Sequence, residues 1–341
     1  MDLIYTNASR VDQGVLLDYE LDLAFGADEN NFECRIQSNS HCCEAGSLLY
    51  MEGTEYGGIV DSIESDTEND EVVYRGRTWH GIIGSKIILP LLSSDASTSS
   101  VTVKTTDSNG SLVGKYLVIS GDANACIRFI LSRIGLTALF SASEAAAGVN
   151  ISQYQFNRYT DAYSGLSKML DSAGLKLQVT FQDGAAVLSA VAKHDYTQDE
   201  EFNSDLVQFQ IVKRYKTVNH LICLGSGELA NRTVIHLYAD ESGNISQEQT
   251  QADLDEYVDV LDYSNAESEE ELIKSGTEKL KSLWSTDELS IDFDATEDIY
   301  DVGDIVGAMD YVTGITVSAV IAKKIVTIQN GQTTISYKVG E

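Results

Sequence analysis

The stretch Glu52-Gly-Thr-Glu-Tyr-Gly-Gly-Ile-Val-Asp61, followed by Tyr74-Arg-Gly-Arg-Thr-Trp-His-Gly-Ile-Ile83, decides the fold of the first part of this chain. It predicts two strands joined by an acidic turn, because β-branched and aromatic residues alternate with glycines and flank a polar loop. Glycine inside a strand is typical of a place where another backbone comes close. Neither strand carries a catalytic motif, so the stretch indicates architecture rather than chemistry.

The composition limits the classes of partner. The chain has 341 residues, enough for two or more domains, and 43% of them are hydrophobic, which is ordinary for a globular protein. Its 53 acidic and 23 basic residues give a net charge of -30. A protein that binds the DNA backbone needs clustered Lys and Arg. The densest basic run, Lys213-Arg-Tyr-Lys216, is predicted to be a solvated strand face, so specific DNA binding is not expected.

The N-terminus and the cysteines indicate where the chain is made. No apolar run approaches the ~18 residues that a membrane-spanning helix needs. Residues 1–7 have neither the basic region nor the cleavage pattern of a signal peptide. Five cysteines, an odd count, fit reduced thiols. We therefore predict no membrane span and synthesis in a cytoplasm.

Hydrophobic periodicity predicts an α+β protein that is mainly β. Helical spacing predicts two helices within residues 122–174, the first capped by Asp122 or Asn124 and ended by Gly135. A hairpin with an Asp183-Gly184 turn follows them. Alternating apolar residues predict strands in three regions: 15–90, 205–260 and 289–337. Many short strands at regular spacing favour barrels or sandwiches.

Two further local signals are strong. The clearest helix covers residues 267–284, where Ser268 and Glu271 fit a capping box. The Asn330-Gly331 dipeptide between β-branched runs predicts a hairpin near the end of the chain.

One cluster has the residue types of a metal site: Cys34, His41, Cys42 and Cys43. Zinc sites normally use spaced pairs of cysteines. Adjacent cysteines on a strand face opposite sides and cannot readily point at one ion. We therefore predict thiols without a metal and assign no metal ligand or cofactor.

The sequence patterns that could indicate a catalytic site are also weak. The chain has no G-x-S-x-G motif, and His80 and His220 adjoin predicted strands as structural residues. The Gly225-Ser-Gly-Glu228 run lacks the Lys-Ser/Thr of a phosphate loop, so a β-bend is expected there. The last candidates are acids on and after a predicted strand: Asp292, Asp294, Glu297 and Asp298. They lack the spacing of a calcium loop. We assign no catalytic residue and predict that the protein is not an enzyme.

Three groups of motifs, in this order along the chain, resemble the tail-hub proteins of siphophages, the long-tailed bacteriophages. They correspond to the first domain (53–59 and 76–82), the central segment (218–225, with Gly227-Glu228 and Asn231-Arg232) and the closing domain (300–306, 323–326 and 337–340) of those proteins. The resemblance covers nearly the whole chain.

The resemblance implies two tail-tube-like β-barrel domains with α/β insertion domains. The predicted segments are 1–120, a first β-barrel domain; 121–200, a helical and hairpin insertion domain; 201–262, strands of a second barrel; 263–288, a helix linker; and 289–341, a closing β domain.

The resemblance also implies an assembly. Three copies form a homotrimer, which joins a sixfold tail tube or distal tail protein ring to a threefold tip, beside a tape measure protein. Spike or fibre proteins are expected as separate chains. DNA passes through the channel without specific binding, and an acidic bore repels the phosphate backbone. The predicted location is the virion tail tip or baseplate, after assembly in the bacterial host cytoplasm.

Seven residues receive structural roles under the resemblance. Gly53, Gly57, Gly58 and Gly76 are expected to allow close backbone approach in the first barrel. The aromatic residues are expected to be core or interface anchors: Tyr56, Tyr74 and Trp79.

Rival interpretations predict different behaviour. The hub of a contractile tail or of a phage-derived injection particle would bind a sheath protein. A tail-carried cell-wall hydrolase or peptidase would degrade purified cell wall and lose activity when one carboxylate or cysteine is replaced. An acidic carbohydrate-binding β-protein would bind sugar as a monomer.

Overall fold

A computed structural model describes the following residues: 2–26, 29–108, 110–198, 201–203, 210–212, 217–266, 268–284, 288–290, 292–295 and 300–339. Their helices are α1 Trp79–Gly84, α2 Ala123–Arg133, α3 Ala162–Asp171 and α4 Glu269–Trp284. Their strands are β1 Leu3–Thr6, β2 Asp12–Leu16, β3 Glu20–Gly26, β4 Asn31–Gln37, β5 Leu48–Tyr50, β6 Gly57–Asp66, β7 Glu71–Thr78, β8 Ile87–Ile88, β9 Val101–Val103, β10 Thr106–Asp107, β11 Gly110–Ser111, β12 Val118–Asp122, β13 Phe140–Ala142, β14 Asn150–Gln155, β15 Thr160–Asp161, β16 Leu175–Gln182, β17 Ala185–Ala192, β18 Glu201–Asn203, β19 Gln210–Val212, β20 His220–Leu224, β21 Val234–Ala239, β22 Ile245–Ser246, β23 Val258–Asp262, β24 Glu288–Ser290, β25 Asp292–Ala295, β26 Ile305–Met309, β27 Thr316–Gln329 and β28 Gln332–Val339. The fold is α+β and mainly β, as predicted.

The chain forms two compact units. The first consists of Met1–Gln208, Ser290–Gly307 and Ser318–Glu341, and the second of Phe209–Leu289 and Ala308–Val317. This division differs from the five predicted segments, because the closing strands pair with strands near the N-terminus: β27 pairs antiparallel with β3.

The largest sheet follows the path β18-β26-β27-β3-β4-β7-β6-β5-β1-β2, and β28 pairs with both β27 and β25. The two closed barrels implied by the resemblance do not form among the described strands. The described path ends at β2, which pairs only with β1. Val15 of β2 is 42% exposed, and Leu17, directly after the strand, is 85% exposed. The strand alternation that predicted β3 and β4 is confirmed, since alternate residues of β4 are buried: Phe32, Cys34 and Ile36.

The helical insertion packs onto two small sheets in the first unit. These sheets have the orders β14-β12-β9 and β13-β17-β16, and α2 and α3 share one hydrophobic core with them. Helix α2 begins where predicted, because the Asp122 carboxylate accepts hydrogen bonds from the backbone N–H groups of Asn124 (3.0 Å) and Ala125 (3.4 Å). Gly135, with φ at +72°, follows its end.

The second unit contains a four-stranded sheet, of order β22-β21-β20-β23, with α4 on one face. Leu272 and Leu280 of α4 are buried against Cys223 and Leu237 of the sheet. The segment predicted as a helix linker therefore contributes a helix to the core of this unit. Its predicted start is confirmed, since Ser268 Oγ accepts a hydrogen bond from the Glu271 N–H at 3.2 Å.

Both predicted hairpin turns are present. Asp183-Gly184 joins β16 to β17, and Asn330-Gly331 joins β27 to β28. All four turn residues have positive φ, between 52° and 77°, which matches the right-handed twist of the flanking strands.

Some predicted features lie outside the described residues: Lys213–Lys216, Glu297, Asp298 and Gly340. In the part of the chain that is described, no helix is long and apolar enough to cross a membrane.

Replacing Asp122 with Ala is expected to lower the free energy of unfolding of the first unit by about 1–2 kcal/mol, because the N-terminus of α2 loses its cap. The Asp122 carboxylate also accepts from the Gly148 N–H at 3.1 Å, a contact that the change removes. The measurement is urea unfolding followed by Trp79 fluorescence in a Trp284→Phe background, which leaves one tryptophan. Asp122→Ser retains a capping oxygen and should cost less than half as much; equal losses would contradict the capping role.

Candidate functional site

The turn between β5 and β6, residues 51–56, is the centre of the region that the sequence singled out. It closes through a hydrogen bond from the Met51 N–H to the Tyr56 carbonyl at 2.9 Å. Gly53 has φ at +76°, a left-handed conformation that favours glycine. The turn therefore holds its shape through its own backbone, and it presents its outer groups to other segments.

This turn binds the free edge of β16. The Gly53 N–H donates to the Phe181 carbonyl, and the Phe181 N–H donates to the Thr54 carbonyl, both at 2.8 Å. The Glu52 carboxylate accepts from the Asp183 N–H at 2.9 Å. Backbone pairs of this kind satisfy polar groups that burial would otherwise leave unpaired. The predicted turn thus attaches the insertion to the first sheet.

Three of the predicted glycines lie where a side chain has no room. A Cβ atom on Gly58 would lie 2.1 Å from the Arg77 carbonyl oxygen, and one on Gly76 would lie 1.8 Å from the Ile59 carbonyl oxygen. On Gly57 it would lie 2.8 Å from Cζ2 of Trp79. These glycines therefore permit the close approach of β6, β7 and α1. At Gly53 a Cβ atom would have room, and only the positive φ favours glycine.

The predicted aromatic anchors are buried inside the chain. Trp79 is fully buried and stacks on Phe181, with ring centroids 4.7 Å apart and planes within 10°. Tyr56 is 3% exposed, and Tyr74 is fully buried. They contact the chain's own core, and their role as anchors between chains stays a prediction.

In the cluster of Cys34, His41, Cys42 and Cys43, hydrogen bonds are made by the Tyr74 hydroxyl group. Tyr74 Oη accepts from the backbone N–H groups of Cys42 (2.9 Å) and Cys43 (3.2 Å), and it lies 2.9 Å from His41 Nδ1. Burial raises the pKa of the Cys34 thiol to about 12 and that of the Tyr74 hydroxyl to about 12. Within the described ranges, no group of three or more His, Cys, Asp or Glu side chains could hold a metal ion.

A buried lysine lies behind the turn. Lys324 of β27 is 1% exposed, and its Nζ donates to Glu55 Oε1 at 2.8 Å. The same ammonium lies 3.7 Å from Asp301 Oδ1 and 5.6 Å from the centre of the Tyr56 ring. A buried ammonium is costly without a counter-charge, so these contacts are what allow Lys324 to occupy the interior.

A second lysine extends the ion pairs into the insertion. Lys176 of β16 donates to Asp301 Oδ2 and Asp304 Oδ2, both at 2.7 Å. The Asp304 side chain is 2% exposed and also accepts from the His194 N–H at 2.8 Å. We call Glu55, Lys324, Asp301, Lys176 and Asp304 the buried charge network. Its members come from four separate segments of the first unit, which it ties together.

His80 of α1 adjoins the buried charge network. Its Nε2 lies 3.7 Å from Glu55 Oε2, and its buried Nδ1 has no hydrogen-bond partner among the described residues. Burial, together with the nearby Lys324 charge, lowers the pKa of His80 to about 3, so the ring is neutral at ordinary pH. His80 also lines a polar cavity of about 190 Å³ with Glu55, Tyr163 and Asp301. The interior here is polar, but its charged groups are engaged with one another.

Two other predicted candidates lie in a bend and in a strand. The Gly225–Glu228 run forms a bend, in which the Gly225 N–H donates to the Thr233 carbonyl at 2.8 Å. Asp292 and Asp294 lie on β25, opposite Lys338 and Ser336 of β28. The expected β-bend and strand positions are therefore confirmed.

Sequence analysis missed the buried charge network, although one signal was present. Lys324 lies on the same face of β27 as Val326 and Ile328, which are both buried. A lysine at an inward-facing position requires a partner, which the alternation could have indicated. The identity of that partner could not be found from the strand itself, because Glu55 is far away in the sequence.

Comparison of structures relates the whole chain to tail proteins. It is similar to the tail protein from Neisseria meningitidis MC58 (TM-score 0.54, 11% identity, 100% of this chain and 96% of that chain covered). It is similar to the 43 kDa tail protein of prophage MuSo2 from Shewanella oneidensis (0.57, 9%, 100% and 98%). It is also similar to prophage tail protein gp18 from Listeria monocytogenes EGD-e (0.52, 10%, 99% and 94%). No known sequence family or curated protein matches the sequence. At these identities, the comparison establishes a shared fold.

Replacing Lys324 with Met is expected to lower the free energy of unfolding of the first unit by about 3 kcal/mol, because Glu55 keeps a largely buried charge without its cation. Adding Glu55→Gln removes that charge and should restore part of the loss. The measurement is urea unfolding followed by Trp79 fluorescence in the Trp284→Phe background. Lys338→Met is the matched control, because Lys338 is an exposed lysine of the neighbouring strand. A double variant no more stable than Lys324→Met would contradict this account.

His80 is expected to make the first unit less stable in acid. Its pKa is about 3 in the folded chain, against an ordinary value of 6.5, so the unfolded chain binds the proton more readily. The contribution is complete above pH 6.5 and is lost as pH falls toward 3, by up to about 1.4 kcal/mol per pH unit. His80→Phe retains a ring against Phe25 and Tyr163 without a titrating group. Urea unfolding at pH 7, 6 and 5 should show a smaller pH dependence in the variant than in the wild type; parallel curves would exclude His80 as the cause.

Proposed function

We propose that this chain is a structural protein of a phage-type tail, and more specifically a trimeric hub of the tail tip or baseplate. The observation that carries the proposal is the match of fold over 99–100% of the chain to three tail proteins. The order of the sequence motifs along the chain points to the same class. In this role, the hub joins a sixfold tail tube or distal tail ring to a threefold tip.

The chemistry of the interior supports a structural role. Several buried polar groups of the first unit have partners within the chain: Lys324 with Glu55, Lys176 with Asp304, and Tyr74 with backbone N–H groups. Such paired groups hold segments in place rather than await a substrate. We therefore propose that the chain is a structural protein and not an enzyme, with spike or fibre proteins among its partners.

The open large sheet supports the proposal of assembly. Its terminal strand β2 has no second neighbour among the described strands, and Val15 of β2 and Leu17, directly after it, are exposed. An edge strand with exposed apolar side chains is a template for pairing with another chain. We propose that copies of the chain and the adjacent tail ring complete the tube-like domains that the single chain leaves open.

The charge suits a DNA channel. Three copies would carry three times the net charge of -30. An acidic bore repels the phosphate backbone, so DNA passes without adsorbing. The tape measure protein would occupy the same channel before ejection, and the assembled protein would be located in the virion tail.

Light scattering after size exclusion tests the hub proposal. The expected mass is three times the chain mass of 37.2 kDa for the protein alone, or that mass added to the mass of the ring when the protein is bound to a ring of its distal tail protein. Exposed apolar edges drive this association, so Val15→Lys together with Leu17→Lys should weaken it at least tenfold. The matched control is Glu144→Lys, at a residue that is exposed in a different part of the first unit.

A monomer that ignores every neighbouring tail protein would overturn the hub proposal. Turnover of purified cell wall by the same preparation would favour a tail-carried hydrolase instead. Binding to a sheath protein would favour the hub of a contractile tail or of an injection particle.

A further inference from the structure

Two histidines of the second unit face each other beside a carboxylate. His220 of β20 has Nδ1 2.7 Å from Glu256 Oε1 and Nε2 2.8 Å from Nδ1 of His236 in β21. The His220 side chain is 9% exposed, whereas His236 is exposed. We call His220 and His236 the histidine pair. It lies on the face of the sheet opposite α4.

The residues around the histidine pair fix its orientation. The His220 ring stacks on Tyr238, with centroids 4.3 Å apart and planes within 24°. Gln249 Nε2 donates to the same Glu256 oxygen at 3.1 Å. Glu256 contacts the pair through a hydrogen bond, and Tyr238 contacts it through ring stacking. Val258, opposite His220 in β23, carries no charge.

The geometry restricts where protons can be. Glu256 is an acceptor, so His220 Nδ1 donates to it. The contact between His220 Nε2 and His236 Nδ1 holds one proton, because one nitrogen must donate and the other must accept. With both rings neutral, His236 donates and its own Nε2 faces outward as a lone pair. With one added proton, His220 becomes an imidazolium between Glu256 and His236.

A second added proton has no place in this arrangement. Two imidazolium rings would set an N–H group against an N–H group at 2.8 Å, with two like charges in contact. His220 is held by Glu256 and by its stacking on Tyr238, whereas His236 is exposed and free to turn toward solvent. The repulsion between the two rings would therefore be relieved by a rotation of the His236 side chain toward solvent.

We propose that the histidine pair is a proton-sensitive switch on the open face of the second unit's sheet. The pair stays in contact while at most one of its rings is protonated, and His236 turns out into solvent as a cation when both are. Histidine is the side chain whose charge ordinarily changes between pH 5 and 8, and the switch is tested across that range. The open face would then gain a mobile positive charge in a strongly acidic protein. This inference does not depend on the hub proposal.

Imidazole nitrogen NMR on the full chain, labelled at histidine, tests the switch. The chain has five histidines, and spectra of His220→Ala and His236→Ala identify the two signals of interest. At pH 8 both rings are expected to carry their proton on Nδ1 and to show a nuclear Overhauser effect between them. At pH 5 that effect should fall below a tenth of its intensity at pH 8. A proton on Nε2 of His236 at pH 8, or an unchanged effect at pH 5, would overturn the proposal.

His236→Asn provides the matched variant, because the Asn Nδ2 group can occupy the place of Nδ1 and donate to His220 without taking up a proton. His220 should then keep its Nδ1–H form at pH 8, and the contact between residues 220 and 236 should persist at pH 5. If this contact is lost in acid to the same extent as in the wild type, the break does not come from protonation of His236 and the proposal fails. Thermal unfolding at both pH values confirms that each variant is folded.

Discussion

The charge of the buried Lys324 is the constraint on which the first unit depends. An ammonium group 1% exposed is stable only if carboxylates meet it inside the protein, so Glu55 and Asp301 have to arrive at the same place. Asp301 in turn binds Lys176, which belongs to the insertion. Because an unpaired member would be costly, an arrangement that displaced one of these segments would be destabilised. We therefore expect the buried charge network to favour one arrangement of the four segments that it joins.

Close packing around the 51–56 turn gives that network its rigidity. Gly58 and Gly76 let the strand backbones come within a distance that any side chain would block, and the Trp79 ring lies against Gly57 and stacks on Phe181. Stacked aromatic rings and paired backbone groups leave little freedom to the turn that carries Glu55. The glycines therefore permit the short distance between strands, and the ion pairs join the turn to three other segments of the first unit.

Features that depend on residues close together in the chain could be predicted from the sequence. The cap of α2, both hairpin turns and the alternation of β4 depend on residues within a few positions of one another, and all were found. Barrel closure was predicted through resemblance and does not occur among the strands that the structure describes, because closure depends on which edge strands pair. Period-two alternation assigns faces to a strand but does not name its neighbour. The partners of Lys324 escaped prediction for the same reason: burial of a lysine is visible in a strand pattern, whereas the acid that meets it lies in a distant segment.

His80 in the first unit and His220 in the second unit have different surroundings. His80 is enclosed beside the Lys324 cation, and both burial and that charge hold it neutral, so it serves as a polar packing residue of α1. His220 is also nearly buried, but it faces the Glu256 carboxylate on one side and a second imidazole on the other. A carboxylate can accommodate an added proton on the ring beside it, whereas a lysine opposes one. Burial, together with the Lys324 charge, therefore keeps His80 neutral, whereas His220 contacts a carboxylate and a second ring, the two contacts on which the proposed switch rests.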